Sequence, residues 1–270
     1  MLQCTQRKIT TLLFIFSSIT ILGIIFNKHE NIKESISNIS PNNFLDGCRY
    51  IYIDMGTNIG VQIRKLYEPD LYPSAPILPI FEDMFENNFN EVCSIGFEAN
   101  PLHDKYLTEF ERYCLARKWR VKIFKSTAVS YVDKKLNLYI DPDNENNYQK
   151  DASLVAINKT KIITVQGIDI ASWFRTTVLN RKLSPGDQPS RIMMKSDIEG
   201  HDSTVLANLI FNGVFCSIDL IYGEHFNSDL QQAILSLKKY SNTCKTEVLE
   251  LTDEKYDLQK FPFVIPESTD

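Results

Sequence analysis

The chain has 270 residues, of which 43% are apolar and 23% are charged. This length and composition suit one globular domain with a sizeable core. The net charge of -5 is opposite in sign to that of typical nucleic-acid-binding proteins, so the sequence predicts no nucleic-acid partner.

The first predicted element is an apolar segment at residues 10–26, TTLLFIFSSITILGIIF, which contains no charged residue. As a helix it would be about 26 Å long, close to the thickness of the hydrocarbon core of the endoplasmic reticulum membrane. Arg7 and Lys8 precede it, which favours a cytosolic tail at residues 1–9. Since no small-x-small cleavage site is evident, we favour an uncleaved signal anchor. The alternative is a cleaved signal peptide and a secreted protein.

The anchor predicts a type II single-pass membrane protein with its domain in the lumen of the endoplasmic reticulum or Golgi. Residues 27–46 are polar and are interpreted as a stalk, and residues 47–270 as the domain. Glycosylation sequons at Asn38 and Asn158 fit a lumenal glycoprotein.

Five of the six cysteines follow the anchor, so at least one remains unpaired within the chain. The sequence does not indicate which of them form disulfides. Cys93 and Cys216 lie in apolar, strand-like stretches, and we interpret them as core residues rather than metal ligands.

The first predicted strand, residues 50–54, is apolar and ends at Asp54. Gly56 and Gly60 follow it and lead into a short helix at residues 60–67. Such a turn places glycines where a ligand approaches the backbone, beside the positive end of a helix dipole. A tight turn with a purely structural role is the alternative.

Residues 68–79 contain four prolines, which predict an excursion without regular helix. It is interpreted as a lid or substrate wall, or else as a plain spacer. The second strand, residues 92–98, ends at Glu98, and Asn100-Pro101 predicts a helix start. The third strand, residues 121–124, leads to Ser126-Thr127-Ala128.

Further along, short strands are predicted at residues 136–140 and 162–165, with a helix at 168–174. A fourth strand (192–197), a helix from Asp202, a fifth strand (217–222), a helix (229–239) and two C-terminal strands complete the domain. This alternation predicts an α/β fold with a mostly parallel, doubly wound sheet and helices on both faces.

Polar residues end four of these strands and should meet at one edge of the sheet. An acid after the second strand, here Glu98, is where a ribose is gripped, because a carboxylate accepts hydrogen bonds from both vicinal hydroxyls. The fourth strand ends in the segment KSDIEGH, residues 195–201, and the fifth in Glu224 and His225.

The segments YIDMGTNIG, GFEANP, STAVSYVDKKLNLYI, ITVQGIDIASWF and IMMKSDIEGHDSTVLANL resemble the FkbM-type S-adenosylmethionine-dependent methyltransferases in order and approximate spacing. The resemblance covers about residues 48–226. The chain departs from the family at Ser196, where isoleucine is usual, and at Ala99-Asn100, where Glu-Pro is commoner.

The resemblance implies a class I methyltransferase fold, Rossmann-like with seven strands, and S-adenosyl-L-methionine as the cofactor. It implies a role for each of four sets of residues. The methionine part of the cofactor would lie against Asp54, Gly56, Asn58 and Gly60, and the ribose would bind to Glu98. The adenine would lie near Ser126, Thr127 and Ala128. The methyl-transfer site would be lined by Asp197, Glu199 and His201. Family members with a known role methylate hydroxyl oxygens of sugars or natural products, so the expected acceptor is a glycan or small molecule.

His201 is the candidate general base, because the pKa of an ordinary imidazole lies close to neutral pH. Its alternative role is to cap or pack at the start of the following helix. Asp197 and Glu199 are predicted to position substrate or cofactor rather than only to cap that helix. Glu224 and His225 are weaker candidates that could also bind a divalent ion, although no ligand spacing requires a metal.

Two other functions are weighed against the enzyme. One is a catalytically inactive, membrane-anchored binding module that keeps the methyltransferase fold. The other is an enzyme that uses a nicotinamide or sugar nucleotide, which the Gly56-x-x-x-Gly60 spacing fits less well.

Overall fold

A computed structural model describes residues 43–140, 152–155, 161–186, 189–224 and 226–253 of the chain. The described strands are β1 Tyr50–Met55, β2 Val92–Phe97, β3 Arg120–Phe124, β4 Thr127–Ser130, β5 Lys135–Ile140, β6 Lys161–Asp169, β7 Arg191–Ser196, β8 Leu220–Gly223 and β9 Glu247–Glu250. The described α-helices are α1 Val61–Tyr67, α2 Leu78–Phe85, α3 Asp104–Ala116, α4 Ile170–Trp173, α5 Asp202–Phe211 and α6 Ser228–Tyr240. A π-helical turn, Phe174–Val178, continues α4.

Six of these strands form one parallel sheet in the order β3-β2-β1-β7-β8-β9. This is the 3-2-1-4-5-6 order of doubly wound nucleotide-binding sheets, which bind ligands at the carboxyl edge where the strand order reverses. The reversal lies between β1 and β7. The predicted parallel α/β sheet is therefore confirmed, and a seventh strand of this sheet is not among the described residues.

Apolar residues on alternate positions of the central strands serve opposite faces of the sheet. All six residues of β1 are buried. Ile51 and Ile53 pack in a core cluster with residues of α5 and α6. Tyr50 and Tyr52 pack in a second cluster with residues of α1, α2 and α3. Helices therefore cover both faces, as the sequence predicted.

A second sheet follows β3, with β6 between β4 and β5. The β4 strand is parallel to β6, and β5 is antiparallel to it. Both short strands predicted from the sequence are present. The helix predicted at residues 168–174 begins later, because β6 continues to Asp169, whose side chain accepts hydrogen bonds from Ala171 and Ser172 and so caps α4.

The proline-rich excursion, residues 68–79, was predicted to lack regular helix, and that prediction is wrong only at its last two residues, because the following α-helix begins at Leu78. The excursion contains a 3₁₀ turn, Pro69–Leu71, and leads into α2, which has a proline in its first turn, where its missing N–H costs nothing. Tyr72 and Phe81 are buried in the second core cluster. The excursion is thus a packed part of the scaffold, and none of its described residues lines the cavity described below.

Two disulfides are present, Cys48–Cys93 and Cys216–Cys244, and Cys114 is a buried free thiol. Cys93 therefore bonds to Cys48 and Cys216 to Cys244, which their apolar sequence surroundings did not indicate. Cys93 is buried, as predicted, whereas Cys216 is exposed, so its interpretation as a core residue is wrong. Leu45, inside the predicted stalk, is buried in the first core cluster.

Several sequence predictions concern residues outside the described part. These are the cytosolic tail, the anchor at residues 10–26, both sequons, the last C-terminal strand and His225. Within the described residues, no helix combines the length and the apolar character needed to cross a membrane.

Candidate functional site

A cavity opens at the carboxyl edge of the parallel sheet, at the reversal between β1 and β7. It contains about 650 Å³ of space between protein atoms, part of it open to solvent. Its polar lining residues are Asn58, Glu98, Thr127, Asp197, Glu199 and His201. Its other lining residues are Gly56, Phe97, Ala99, Ala128, Val129, Leu138, Ala152, Leu154 and Ile198. The mixture of apolar walls with a few convergent polar groups is typical of small-molecule sites.

The two glycines of the β1–α1 turn pack against the protein itself. A Cβ atom on Gly56 would lie 1.9 Å from the carbonyl oxygen of Asp197, and one on Gly60 would lie 2.7 Å from the ring of Phe110. Both glycines also have positive φ, +84° and +82°. Gly56 still lines the cavity, whereas Gly60 lies behind the turn. The spacing of the glycines therefore reflects internal close approach.

Asp54 is fully buried within β1, and neither of its carboxyl oxygens accepts a hydrogen bond from the described residues. The nearest cation is Lys195, whose Nζ is 3.8 Å from Oδ1 of Asp54 and donates to Oδ2 of Asp197 at 2.8 Å. Burial raises the pKa of Asp54 to about 7, although Lys195 acts in the opposite direction. Asp54 thus lies beneath the cavity and contacts it through Lys195 and Asp197.

Glu98 holds together the loops that follow β1 and β2. Its Oε2 accepts a hydrogen bond from the backbone N–H of Asn58 at 2.6 Å, and its Oε1 accepts one from Asn100 N–H at 2.7 Å. The imidazole Nδ1 of His103 is 3.5 Å from Oε1. Because each carboxylate oxygen has a second lone pair, Glu98 can also accept from a ligand in the cavity that it lines.

The side of the cavity beyond Glu98 is mainly apolar. Ala128 and Leu138 of the second sheet form one wall. Ser126 does not belong to it, since its hydroxyl donates to Oδ2 of Asp104 at 2.6 Å in the first turn of α3.

A short segment, residues 152–155, covers the cavity with Ala152 and Leu154. Ser153 anchors it twice. Its backbone pairs with Tyr139 of β5, and its hydroxyl donates to the carbonyl oxygen of Glu199 at 2.6 Å. The segment therefore connects the second sheet to the loop after β7.

The loop between β7 and α5 is organised by Asp202, which sequence reasoning did not single out. One of its carboxylate oxygens accepts from the hydroxyl of Ser196 at 2.6 Å and from Ile198 N–H at 3.2 Å. The other accepts from Gly200 N–H at 3.3 Å. These bonds orient the loop so that Asp197 and Glu199 line the cavity. Ser196, a departure from the family pattern, thus has a buried partner.

His201 begins α5 at the rim of the cavity and is partly buried. Its Nε2 is 3.4 Å from the hydroxyl of Ser130, and its ring centroid is 6.1 Å from that of Tyr131. Burial lowers the pKa of His201, while the neighbouring Asp202 raises it. The imidazole is therefore mostly neutral at pH 7 and able to accept a proton.

An acidic cleft adjoins the cavity and shares Asp197 and Glu199 with it. Its other lining residues are Gly200, Asp202, Ser203, Glu224 and Asn227. Glu224 therefore lies near the site. Among the residues that the structure describes, no group of three or more histidines, cysteines or acids is arranged to hold a metal ion.

The fold brings eight of the eleven predicted site residues to the cavity: Gly56, Asn58, Glu98, Thr127, Ala128, Asp197, Glu199 and His201. Asp54, Gly60 and Ser126 lie around it, in contact with protein groups. Sequence reasoning missed Asp202, Ser130 and Leu154. A carboxylate one residue after His201, at a helix start, was a usable signal for Asp202, whereas the other two depend on how the second sheet folds back.

Comparisons with protein-family models, with curated proteins and with solved structures each gave no match to this chain.

Proposed function

We propose that the chain is an FkbM-type, S-adenosyl-L-methionine-dependent methyltransferase that methylates a hydroxyl of a glycan or small molecule. The observation that carries this proposal is the charge of the cavity. Its described lining residues include three carboxylates, Glu98, Asp197 and Glu199, and no lysine or arginine. Such a lining attracts a cationic ligand with a ribose diol and repels a diphosphate.

The cavity residues fit S-adenosylmethionine part by part. Glu98 has lone pairs left for the ribose hydroxyls, and the wall at Ala128 and Leu138 suits the adenine. Asp197 and Glu199 would face the positive charges of the methionine part. The cofactor supplies a methyl group activated by its sulfonium.

The protein's part in the transfer is alignment and proton removal. The cofactor, held by Glu98, Asp197 and Glu199, would supply the methyl group to the acceptor oxygen and leave as the neutral thioether, and the neutral imidazole of His201 would take the proton that the hydroxyl loses. Holding the reacting oxygen, carbon and sulfur in line supplies much of the rate. Ser130, which is hydrogen-bonded to Nε2, orients the ring.

The sheet is compatible with this class of enzyme at the level of the doubly wound fold. The parallel β9 pairs directly with β8, and residues 254–270 lie outside the described part. We propose the class I methyltransferase fold on the basis of the motifs together with the six observed strands.

A lumenal location is part of the proposal. Two disulfides support it, because structural disulfides persist in oxidising compartments. The apolar segment at residues 10–26 supports a type II anchor or, if it is cleaved, secretion.

Calorimetry on the full chain tests cofactor choice, with S-adenosylmethionine, NAD and a uridine-diphosphate sugar as ligands. We expect binding of the first only. Ala99→Leu, which narrows the cavity, should weaken it, whereas Ala116→Leu on an exposed position of α3 should not. A folded protein that binds no S-adenosylmethionine, or binds NAD more tightly, would refute the proposal.

Transfer of radiolabelled methyl groups to fractionated glycan, lipid and small-molecule extracts separates the enzyme from an inactive module. We expect labelling of a hydroxyl-bearing fraction, reduced about 10²–10⁴-fold in His201→Gln. Cofactor affinity should be unchanged in that variant. Cofactor binding without transfer to any fraction would instead identify a binding module.

A further inference from the structure

An open groove runs along one face of α5, beginning beside His201. Its lining residues on the helix are Ser203, Thr204, Ala207, Asn208 and Phe211, which recur every three or four residues and so share a face. Tyr131, in the turn after β4, forms the other wall. Ser203 and Phe211 are eight residues apart, about 12 Å along the helix, which accommodates roughly two or three sugar rings.

The groove is continuous with the proposed methyl-transfer site in two ways. Tyr131 is the ring neighbour of His201, at a centroid distance of 6.1 Å. Ser203 lines both the groove and the acidic cleft, and the cleft shares Asp197 and Glu199 with the cavity. A molecule whose hydroxyl reaches His201 therefore continues along α5.

We propose that this groove binds the part of the acceptor adjoining the methylated hydroxyl, and that the acceptor is a neutral oligosaccharide. This inference rests on the proposed function. Tyr131 and Phe211 are 50% and 89% exposed, which is unusual for such large rings and provides flat surfaces for the C–H faces of sugars. Ser203 and Thr204 each provide a hydroxyl for hydrogen bonds to sugar hydroxyls.

The charge of the neighbouring cleft restricts the acceptor further. Asp197, Glu199 and Glu224 line the path between cavity and groove. Carboxylate, sulfate or phosphate groups on an acceptor would meet like charge there, which disfavours anionic glycans. Neutral sugars meet no such repulsion, and the carboxylates can accept hydrogen bonds from sugar hydroxyls.

A second copy of the chain is a less suitable occupant. Stable protein interfaces use about 20–30 residues on each side. The groove has six lining residues, half of them Ser, Thr or Asn. Asn208 is also held in place by its hydrogen bond to Asp169 at 3.0 Å, as expected for a preformed ligand contact.

The test uses N-linked glycans released from serum glycoproteins, before and after sialidase treatment, with the full chain. Glycan binding is followed by saturation-transfer NMR, and cofactor binding by calorimetry. We expect the desialylated glycans to bind at least about tenfold more tightly. Tyr131→Ala and Phe211→Ser should each weaken that binding about tenfold while leaving cofactor affinity unchanged. Tyr240→Ser, which removes an 82% exposed ring on α6, is the matched control and should have no effect.

Four outcomes would overturn the inference. The first is that sialylated and desialylated glycans bind equally tightly, and the second is that the groove variants bind glycan as well as the Tyr240→Ser control. The third is that the protein binds the cofactor but no glycan. The fourth is that wild type self-associates and Phe211→Ser does not. If the wild-type chain binds these glycans in the groove but no S-adenosylmethionine, the proposed function fails while the sugar site stands.

Discussion

Two loops at the same edge of the sheet begin alike and end in different roles. At the end of β1 the chain reads Asp54-Met55-Gly56, and after β7 it reads Asp197-Ile198-Glu199-Gly200. In the first loop the acid is buried and the glycine packs against the second loop. In the second loop both acids line the cavity. An acid followed by a glycine after a strand therefore marks a close approach, whose partner is either a ligand or the protein.

The position of each acid relative to the end of its strand explains the difference. Asp54 is paired within β1, in register with Gly96 on one side and Lys195 on the other, so its side chain points into a covered face. Asp197 follows the last residue of β7 and is free of that constraint. Asp197 is two residues beyond Lys195, the residue in register with Asp54, and this shift past the strand end turns a buried carboxyl into a lining one.

The contact between the two loops is tested most severely by Gly56→Ala. A Cβ there would lie 1.9 Å from a backbone oxygen, and the left-handed φ adds strain. We expect a loss of roughly 3–5 kcal/mol in the free energy of unfolding, measured by urea denaturation. Gly213 has a similar φ of +70° with open space around it, so Gly213→Ala should lower the free energy of unfolding by only about 1–2 kcal/mol. Equal effects in the two variants would show that the loops are not in contact.

Glu98→Gln and Glu199→Gln compare a carboxylate that holds two loops together with one that lines the cavity. The first places an amide NH₂ against a backbone N–H and should lower the free energy of unfolding by about 2–3 kcal/mol. The second should change it by less than about 0.5 kcal/mol, yet reduce methyl transfer. Thermal denaturation measures the stability of both variants, and methyl-transfer assays measure their activity. A stable Glu98→Gln protein would contradict the loop-holding role.

Ser196→Ala tests how the second loop is organised. Removing the hydroxyl takes a partner from the buried carboxylate of Asp202, at a cost of about 1–2 kcal/mol in urea denaturation. Ser236→Ala, on the exposed face of α6, is the control and should be nearly neutral. If the two variants are equally stable, Asp202 does not depend on Ser196.

Asp54→Asn should have an effect whose size depends on pH. The pKa of Asp54 is about 7 in the folded protein against 3.8 ordinarily, so between these values the folded state holds a proton that the unfolded chain releases. The contribution of Asp54 to wild-type stability therefore falls as the pH rises from about 4 to about 7, and it stays low at higher pH. The variant should gain up to about 4 kcal/mol relative to wild type at pH 8 and nothing at pH 4, where both side chains are neutral.

Melting temperatures of wild type and Asp54→Asn across pH 4–8 measure this difference. The control is Asp70→Asn at an exposed position, whose melting temperature should differ from that of wild type by the same amount at every pH. A difference that is flat with pH would mean that Asp54 is ionised throughout.

Much of the fold follows from local patterns. The apolar stretch of β1, the Asn100-Pro101 start and the Asn212-Gly213 stop of α5 depend on neighbours within a few residues, and each lies where it was predicted. The prediction of no regular helix in the proline-rich excursion failed at its end, because a proline such as Pro79 is compatible with the first turn of a helix, here α2.

The sequence by itself determined that the polar strand ends meet at one edge, because parallel strands joined by right-handed helical crossovers bring their carboxyl ends together. Only the tertiary structure decided that Gly56 packs on Asp197, that Cys48 pairs with Cys93, and that Asp202 organises the loop between β7 and α5. The physical reason is distance along the chain. Strand and helix periods are read within a few residues, whereas the Gly56–Asp197 contact joins residues 56 and 197 and depends on the whole path between them.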